Sequence, residues 1–406
     1  MDQDSSLPCV LCPHFGICGG CQWQQIGYPE QLQKKEEQIA WIFQEFGVTP
    51  RSIIPSESPW HYRNKLELSF SSDLAGKRYL GLMMRGARRR VLDLETCLLG
   101  EPWMVQATEI VRQWWGGTDL MAYKPHKDSG SLRTLTLRSG YASGDRLVML
   151  TVSGQVDAAL TKPQLRDFVQ ALSPLEQGGE LSIILRIQQA VKGRPTQFYE
   201  MVLYGKDHVR EEIRLTACET IHCRVSPSAF FQPNRFLFSR LYQTALELAD
   251  LHQDMHVLDL YCGTGTLTLC AAKRVKEVIG IELSREAVVD AQENQKQNGL
   301  SNVQVIAGDV GKILDSLYGD ASKKRPDCIF MDPPRSGLDA KAIQHLFSLQ
   351  SPKIVYISCC PETQYVNVQA LVSVGYKLAV IQPIDQFPQT THVENIVLLQ
   401  KDAEPV

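Results

Sequence analysis

From about residue 230 the chain alternates short apolar runs with segments of helical periodicity. The apolar runs include HVLDL, EVIGIEL, VQVIAGD, CIFMD and KIVYIS, which indicate buried strands. Helices are predicted near 235–250, 284–298, 339–348 and 362–374. Because strands that alternate with helices are typical of a doubly wound sheet, we predict an α/β, Rossmann-like fold for this part.

The preceding part of the chain shows a different pattern, in which apolar and polar positions alternate. The period of two expected of half-buried strands is found in HYRNKLELSF, KRYLGLMMR, LRTLTLRSG and DRLVMLTVS. Helical periodicity interrupts them at 102–116 and 162–172. We therefore predict a mainly antiparallel β (α+β) domain here.

These patterns divide the chain into four predicted segments. Residues 1–24, rich in Cys, Gly and Pro, form a ligand-stapled loop, and residues 25–50 form a helix expected to pack on the C-terminal domain. Residues 51–228 form the central β-rich domain, and residues 229–406 form the Rossmann-like domain.

Composition restricts the location and the partners. The chain has 406 residues, and no apolar run approaches the roughly 20 residues that span a bilayer. The N-terminal MDQDSSLPC lacks the features of a secretory signal, so we expect a cytoplasmic protein without membrane association. The net charge of −3 does not predict nucleic-acid binding, but Arg85, Arg88, Arg89 and Arg90 form a local basic segment. This segment is either a nucleic-acid contact or a solvated loop or edge strand.

A candidate nucleotide site follows the first strand of the C-terminal half. The turn 259–266, DLYCGTGT, has glycines that permit a tight bend and close approach to a ligand. Glu282 and Asp309 end the next two strands, where carboxylates can bind ribose and adenine; the alternative is that they only cap helices. Because a complete dinucleotide fingerprint is missing, this pattern favours an S-adenosylmethionine-dependent methyltransferase over a dehydrogenase.

The sequence also contains a candidate nucleophile and base. Cys359 and Cys360 stand side by side in SCCP, and Glu394 follows in HVEN. A thiolate can add to an electron-poor ring, and a carboxylate can move a proton. Covalent catalysis on a base is therefore predicted.

Several motifs together resemble one known family. The segments FFQPN (230–234), DLYCGTGT (259–266), DPPRSGL (332–338), SCCP (358–361) and HVEN (392–395) occur in the order seen in the RNA uracil-C5 methyltransferases, which are class I S-adenosylmethionine-dependent enzymes. Cys12, Cys18, Cys21 and Cys97 resemble the iron–sulfur ligands of the 23S ribosomal RNA branch.

This resemblance implies specific roles. Cys359 would be the nucleophile that adds to uracil C6, and Glu394 the base that removes the C5 proton. The cofactor or uracil pocket would be lined by Gln232, Tyr261, Thr266, Glu282, Asp309 and Asp332.

The chain departs from the family pattern in two places. Cys360 replaces the usual Asn, which leaves open which thiol attacks, although a free Cys is often a small buried hydrophobe. The cysteine segment begins close to Met1, so the extra N-terminal RNA-binding barrel is expected to be absent and the central domain to grip the RNA.

The N-terminal cysteines have two interpretations. Cys9, Cys12, Cys18 and Cys21 could form a compact zinc site, but zinc sites usually separate their Cys pairs by about a dozen residues or more. A 4Fe-4S cluster accepts closely spaced thiolates plus a remote ligand, and Cys97 fits that place. We expect a cluster with a structural or RNA-positioning role, since methyl transfer needs no electrons.

The sequence thus predicts transfer of a methyl group from S-adenosylmethionine to C5 of a uridine in 23S rRNA. The alternatives are a tRNA substrate, or a non-catalytic RNA-binding or assembly factor on the same scaffold. RNA is the expected partner of a monomer that binds no DNA.

Overall fold

The computed structural model describes residues 12–87, 90–190, 193–319 and 324–401. Within them the chain forms two compact units. The first takes in the described residues of Met1–Gly27, Ser58–Glu211 and Ser226–Ser228, and the second takes in those of Tyr28–Glu57, Glu212–Val225 and Ala229–Val406. This division differs from the expected domain limits, because residues 51–57 and 212–225 group with the second unit.

The helices and strands are as follows. The helices are α1 (Tyr28–Ile42), α2 (Pro102–Gly116), α3 (Lys162–Leu172), α4 (Phe238–Ala249), α5 (Thr266–Ala272), α6 (Arg285–Gln297), α7 (Val310–Tyr318), α8 (Ala340–Leu349) and α9 (Pro361–Ser373). The strands are β1 (Lys65–Ser72), β2 (Arg78–Gly81), β3 (Leu132–Gly140), β4 (Asp145–Ser153), β5 (Leu181–Gln189), β6 (Gln197–Tyr204), β7 (Val209–Arg214), β8 (Thr220–Val225), β9 (His256–Leu260), β10 (Glu277–Glu282), β11 (Val303–Ala307), β12 (Cys328–Met331), β13 (Lys353–Ser358), β14 (Tyr376–Ile384) and β15 (Glu394–Lys401). None of the helices within the described residues has the length and apolar character needed to cross a bilayer.

The first unit is built on a six-stranded sheet of order β2-β1-β3-β4-β5-β6. Period-two alternation puts Leu66, Leu68 and Phe70 of β1 in the core, where Phe70 meets Trp115 of α2 at 5.1 Å between ring centroids. The ladders are antiparallel except between β4 and β5, which pair in parallel across α3. The α+β prediction is confirmed, with one parallel crossover that the alternation did not reveal.

The second unit contains the predicted Rossmann-like sheet, of order β11-β10-β9-β12-β13-β15-β14. The strands β9 to β13 pair in parallel, and β15 pairs antiparallel with both β13 and β14. A separate two-stranded ladder joins β7 to β8. The α/β prediction is confirmed, and the sheet brings the carboxyl ends of the parallel strands to one edge.

Helix α1 belongs to this second unit. Ile39 of α1, and Phe43 just after the helix, are buried in one apolar core with residues of the sheet, such as Ile329 and Tyr356. Phe43 also contacts the ring of Tyr365 in α9 at 6.1 Å between centroids. The apolar end of α1 is therefore part of the second unit's own core.

Candidate active site and cysteine cavity

The predicted site residues follow neighbouring strands of the Rossmann-like sheet. Ligands of open α/β sheets bind at the carboxyl ends of the strands. At this edge lie Tyr261 after β9, Glu282 at the end of β10, Asp309 after β11, Asp332 after β12 and Cys359 after β13. The topology thus assembles in space residues that are far apart in the sequence.

The glycine turn after β9 adopts a left-handed backbone at several positions. Tyr261 has φ +63°, Gly263 +55° and Gly265 +77°. Gly265 precedes α5, and a Cβ there would lie 2.9 Å from the Cβ of Ala291 in α6. A left-handed residue other than Gly is strained and marks candidate functional sites, so Tyr261 is held in place by its surroundings.

Glu282 holds this turn. Its Oε2 accepts the Gly263 N–H at 3.0 Å, and its Oε1 accepts the Ser284 N–H at 2.7 Å. Ser284, not Glu282, caps α6. Glu282 therefore holds the glycine turn after β9 and does not cap a helix.

Asp309 does cap a helix. It is the N-cap of α7, and its Oδ1 accepts the Lys312 N–H at 3.1 Å. This is the alternative that the sequence had left open for Asp309. Because one carboxylate oxygen suffices for a cap, the exposed side chain can also contact a ligand.

Thr266 and Gln232 have different surroundings. The hydroxyl of Thr266 is buried and donates to Tyr242 Oη of α4 at 2.8 Å. Gln232 is also buried, and its Nε2 donates to Asp332 Oδ2 at 3.2 Å. The structure therefore brings Gln232 to the acidic end of β12, while the Thr266 hydroxyl serves helix packing.

Cys359 lies among charges of both signs. Burial, followed by the carboxylate of Glu394, raises the pKa of the Cys359 thiol to about 11, while the guanidinium of Arg335 hydrogen-bonds the thiol and opposes this rise. At neutral pH the thiol is thus protonated in the free protein. Addition to a substrate requires loss of this proton.

Glu394 and Asp332 form an acidic pair beside the thiol. Glu394 is buried at the start of β15, and burial, followed by the charge of Asp332, raises its pKa well above the ordinary value. Burial also raises the pKa of Asp332 to about 7. Since two neighbouring carboxylates cannot readily both ionise, the pair retains a proton near neutral pH.

Cys360 points elsewhere. It occupies the N-cap position of α9, and its backbone N–H donates to Ser358 Oγ at 3.1 Å. Its Sγ lies 3.5 Å from Oε2 of Glu362. These contacts place the Cys360 thiol at the start of α9, whereas the Cys359 thiol meets the acidic pair and Arg335.

Two residues near the site were quoted in sequence motifs without a role. Arg335 of DPPRSGL contacts the Cys359 thiol, and its Nη2 lies 3.0 Å from His392 Nδ1. Asp259 is buried in β9, accepts the Thr268 hydroxyl at 2.5 Å, and has a pKa raised to about 7, mainly by burial. The motifs identified both positions, but only the fold shows what they contact.

The first unit contains a second candidate site. Cys12, Cys18, Cys21 and Cys97, the four predicted cluster ligands, line one cavity. Burial raises the pKa of Cys12 and Cys18, and raises that of Cys21 to about 12. Cys9, the ligand of the zinc alternative, lies outside the described residues.

The lining of this cavity combines thiols with one cationic side chain. Among the described residues, no three His, Cys, Asp or Glu side chains are placed to hold a metal ion, so the structure shows four cysteines around a cavity and no assembled metal site. Arg63 also lines the cavity, and its buried Nε has no hydrogen-bond partner within the described ranges. A half-buried guanidinium beside four thiols can balance the negative charge of thiolates, which a four-thiolate iron–sulfur cluster and a four-thiolate zinc site both carry.

The basic segment is only partly described. Arg88 and Arg89 lie outside the described residues, while Arg85 and Arg90 are exposed. Arg78, which precedes this segment, donates from Nη2 to Thr118 O at 2.8 Å just after α2. Arg78 therefore has a local structural role, and an RNA contact through Arg85 and Arg90 stays a prediction.

Comparison with known proteins gives consistent matches. The family model described as tRNA (uracil-5-)-methyltransferase matches residues 175–402. A relative from Protochlamydia amoebophila (strain UWE25), named as an RNA methyltransferase, is 58% identical over 401 residues, which cover 96% of this chain and 90% of the relative. A relative from Chlamydia pneumoniae, also named as an RNA methyltransferase, is 35% identical, covering 97% of this chain and 98% of the relative.

A solved structure shows the same fold. It is the Pyrococcus abyssi tRNA (uracil-54, C5)-methyltransferase in complex with S-adenosyl-L-homocysteine. The TM-score is 0.72 at 24% identity, and the match covers 95% of this chain and 86% of the other. At this identity the likeness concerns the fold alone.

Proposed function

This chain belongs to the tRNA (uracil-5-)-methyltransferase family, and we propose from that premise that it methylates C5 of a uridine in 23S rRNA. Members of the family transfer a methyl group from S-adenosylmethionine to uracil C5 in RNA, and this chain is such an enzyme. The observation that carries the ribosomal assignment is the cavity lined by four cysteines. Its ligand set resembles that of the ribosomal branch.

We propose that Cys359 begins the reaction. Its Sγ loses its proton to solvent water and adds to uracil C6, which moves electron density through C5 to the C4 carbonyl oxygen and makes C5 nucleophilic. Arg335 supports the thiolate by hydrogen bonding and charge. S-adenosylmethionine, when bound at the edge of the sheet, supplies the methyl group to C5 and leaves as S-adenosylhomocysteine.

Glu394 completes the reaction in this proposal. Its carboxylate takes the proton from the methylated C5, and the electrons of the C–H bond restore the C5–C6 double bond as the C6–Sγ bond breaks. Glu394 must be ionised when it acts, and its raised pKa then makes it a stronger base than an ordinary carboxylate. Asp332 lies beside Glu394 and Gln232, where it can contact the uracil ring.

Cys12, Cys18, Cys21 and Cys97 would hold a 4Fe-4S cluster. Such a cluster would tie the N-terminal loop to the strand-rich unit. The loop already follows the chain near β2, since the Gly19 N–H donates to Met83 O at 3.3 Å and the Arg85 N–H to Ile17 O at 2.7 Å. We infer a structural or RNA-positioning role for this site.

A tRNA substrate is the second candidate. It is favoured by the printed description of the matching family, which names tRNA. The two substrates differ in the RNA that contacts the first unit, not in the chemistry at Cys359.

Tritium release separates the candidates. The purified protein is incubated with S-adenosylmethionine and 23S rRNA or tRNA that carries [5-³H]uridine, both from cells that lack the enzyme. We expect release from 23S rRNA, followed by one new 5-methyluridine in its mass map. Release from tRNA alone would replace the ribosomal assignment with the tRNA alternative.

A further inference from the structure

We propose that Lys35 and Gln31 of α1 are positioning residues for the catalytic base. They hold residues 385–393, here called the base loop, which connects β14 to β15 and leads directly into Glu394. The inference rests on the proposed role of Glu394, and it assigns α1 a part in the C5 proton-removal step.

A buried ion pair makes the first connection. Lys35 Nζ lies 2.6 Å from Asp385 Oδ1, and both side chains are 0% exposed. The same ammonium donates to the carbonyl oxygen of Phe387 at 3.0 Å. Lys35 therefore fixes the base loop through a carboxylate and a backbone carbonyl two residues apart.

A pair of amides makes the second connection. Gln31 Nε2 donates to Gln389 Oε1 at 3.0 Å, and the Gln389 N–H donates to Gln31 Oε1 at 2.9 Å. Both residues are buried, and Gln389 has a left-handed φ of +67°. A strained residue persists only where its surroundings hold it, and Gln31 supplies both of these hydrogen bonds.

The base loop begins and ends at the active site. Its two flanking residues, Ile384 and Glu394, are register partners in the β14–β15 ladder. Near its end, His392 lies 3.0 Å from Nη2 of Arg335, which contacts the Cys359 thiol. A shift of the loop would therefore move the base relative to the nucleophile.

One face of helix α1 is polar in its first half and apolar in its second half. Ile39 and Phe43 continue the spacing that begins with Gln31 and Lys35, and these apolar residues already anchor the helix in the core. Buried charge pairs are often no more stabilising than apolar residues of similar volume. Gln31 and Lys35 thus set the geometry of the base loop, in addition to any contribution to stability.

The test compares Lys35→Met with the matched control Lys34→Met. Lys34 is the adjacent lysine on the same helix, is largely exposed, and pairs with Glu30 at 3.4 Å. Single-turnover reactions with ordinary uridine RNA are followed for methyl transfer and for the covalent enzyme–RNA species. In single turnover we expect Lys35→Met to transfer methyl normally per folded molecule but to accumulate the covalent species. Under multiple turnover its kcat should fall by about tenfold or more, while Lys34→Met behaves as wild type.

A double variant separates positioning from folding. Lys35→Met combined with Asp385→Leu removes both buried charges, so it should regain thermal stability that the single variant loses. Because the hydrogen bond to Phe387 O stays absent, its kcat should remain low and the covalent species should still accumulate. Wild-type kcat per folded molecule in the double variant would overturn the inference.

The experiments distinguish a failure of the positioning role from a failure of the proposed role of Glu394. If Glu394→Gln accumulates the covalent species and the Lys35 variants do not, only the positioning role is wrong. If Glu394→Gln turns over normally, the base assignment falls, and the positioning role falls with it.

Discussion

The protonation state of Cys359 depends on three neighbouring side chains. Glu394 and Asp332 raise the pKa of the thiol, in addition to burial, and Arg335 lowers it. The resting enzyme therefore keeps the sulfur as a thiol, which resists oxidation better than a thiolate does. Nucleophilicity then depends on how substrate binding changes these charges.

This arrangement predicts a pH dependence for the first step. With a thiol pKa of about 11, the thiolate fraction increases with pH throughout the range from 7 to 9. The rate of covalent trapping by 5-fluorouridine RNA should rise over this range, because trapping needs the thiolate and no C5 proton is removed. A rate that is flat or falls between pH 7 and 9 would contradict this picture of the thiol.

Loss of the base Glu394 should impair breakdown of the covalent species, whereas loss of the thiolate impairs its formation. Glu394→Gln keeps the size of the side chain but cannot take a proton, so the covalent species with ordinary uridine RNA should form and persist. We expect kcat to fall by about 10²- to 10⁴-fold, the usual contribution of a general base. Gel shift under denaturing conditions would detect the species, and normal turnover would identify Glu394 as a structural hydrogen-bond acceptor.

At the residue scale, sequence motifs located candidates but not contacts. The family resemblance carried by SCCP and HVEN predicted Cys359 and Glu394, and in the fold the charge of Glu394 acts on the Cys359 thiol. The sequence could not show that the Thr266 hydroxyl turns to Tyr242, because that contact depends on how α4 packs on α5. The roles of these residues stay predictions.

At the scale of elements, the β9–α5 turn is the most constrained connection at the site. Gly265 combines a left-handed φ with a close approach to α6. Gly299 also has a left-handed φ, of +63°, but a Cβ added there would meet nothing within 4 Å. A comparison of substitutions at the two glycines therefore distinguishes the effect of backbone strain from that of steric contact.

Gly265→Ala should destabilise the catalytic unit more than Gly299→Ala. Backbone strain costs about 1–3 kcal/mol at either position. Contact with Ala291 should add about 1–3 kcal/mol at Gly265. Urea unfolding measures both variants, and equal midpoints would show that α5 and α6 adjust freely to the extra methyl group.

Sequence periodicity predicted most helices and strands of the catalytic unit. It omitted α7, whose nine residues provide few turns of periodicity. It also placed residues 212–225 in the central domain, because their alternation has the same period as that of the strands before them. Which sheet a strand joins depends on long-range packing, which a local pattern does not contain.

At the scale of the whole molecule, the candidate active site and the cysteine cavity lie in different units. The thiol, the acidic pair and the glycine turn after β9 belong to the second unit, and the cysteine cavity belongs to the first. The family resemblance named both sets of cysteines as candidates, and their roles stay predictions. The sequence did not indicate Arg63, whose position in the lining of the cavity appears only in the fold.

The cysteine cavity predicts an iron content. Protein purified without oxygen should be brown and contain about four irons per chain. Cys97→Ser should lose the cluster, weaken RNA binding and expose residues 12–24 to protease, while S-adenosylmethionine binding persists. Cys218→Ser, at an exposed cysteine, is the matched control and should change none of these. Zinc in place of iron, with Cys9 essential and Cys97 dispensable, would contradict the assignment.

Covalent trapping with a peptide map tests the central claim most directly. The protein, S-adenosylmethionine and 5-fluorouridine 23S rRNA are combined, and the RNA-linked peptide is sequenced by mass spectrometry in the wild type, Cys359→Ala and Cys360→Ala. We predict a methylated adduct on Cys359 in the wild type and in Cys360→Ala, and no adduct in Cys359→Ala. An adduct on Cys360 that persists in Cys359→Ala, or no adduct in the wild type, would contradict the account.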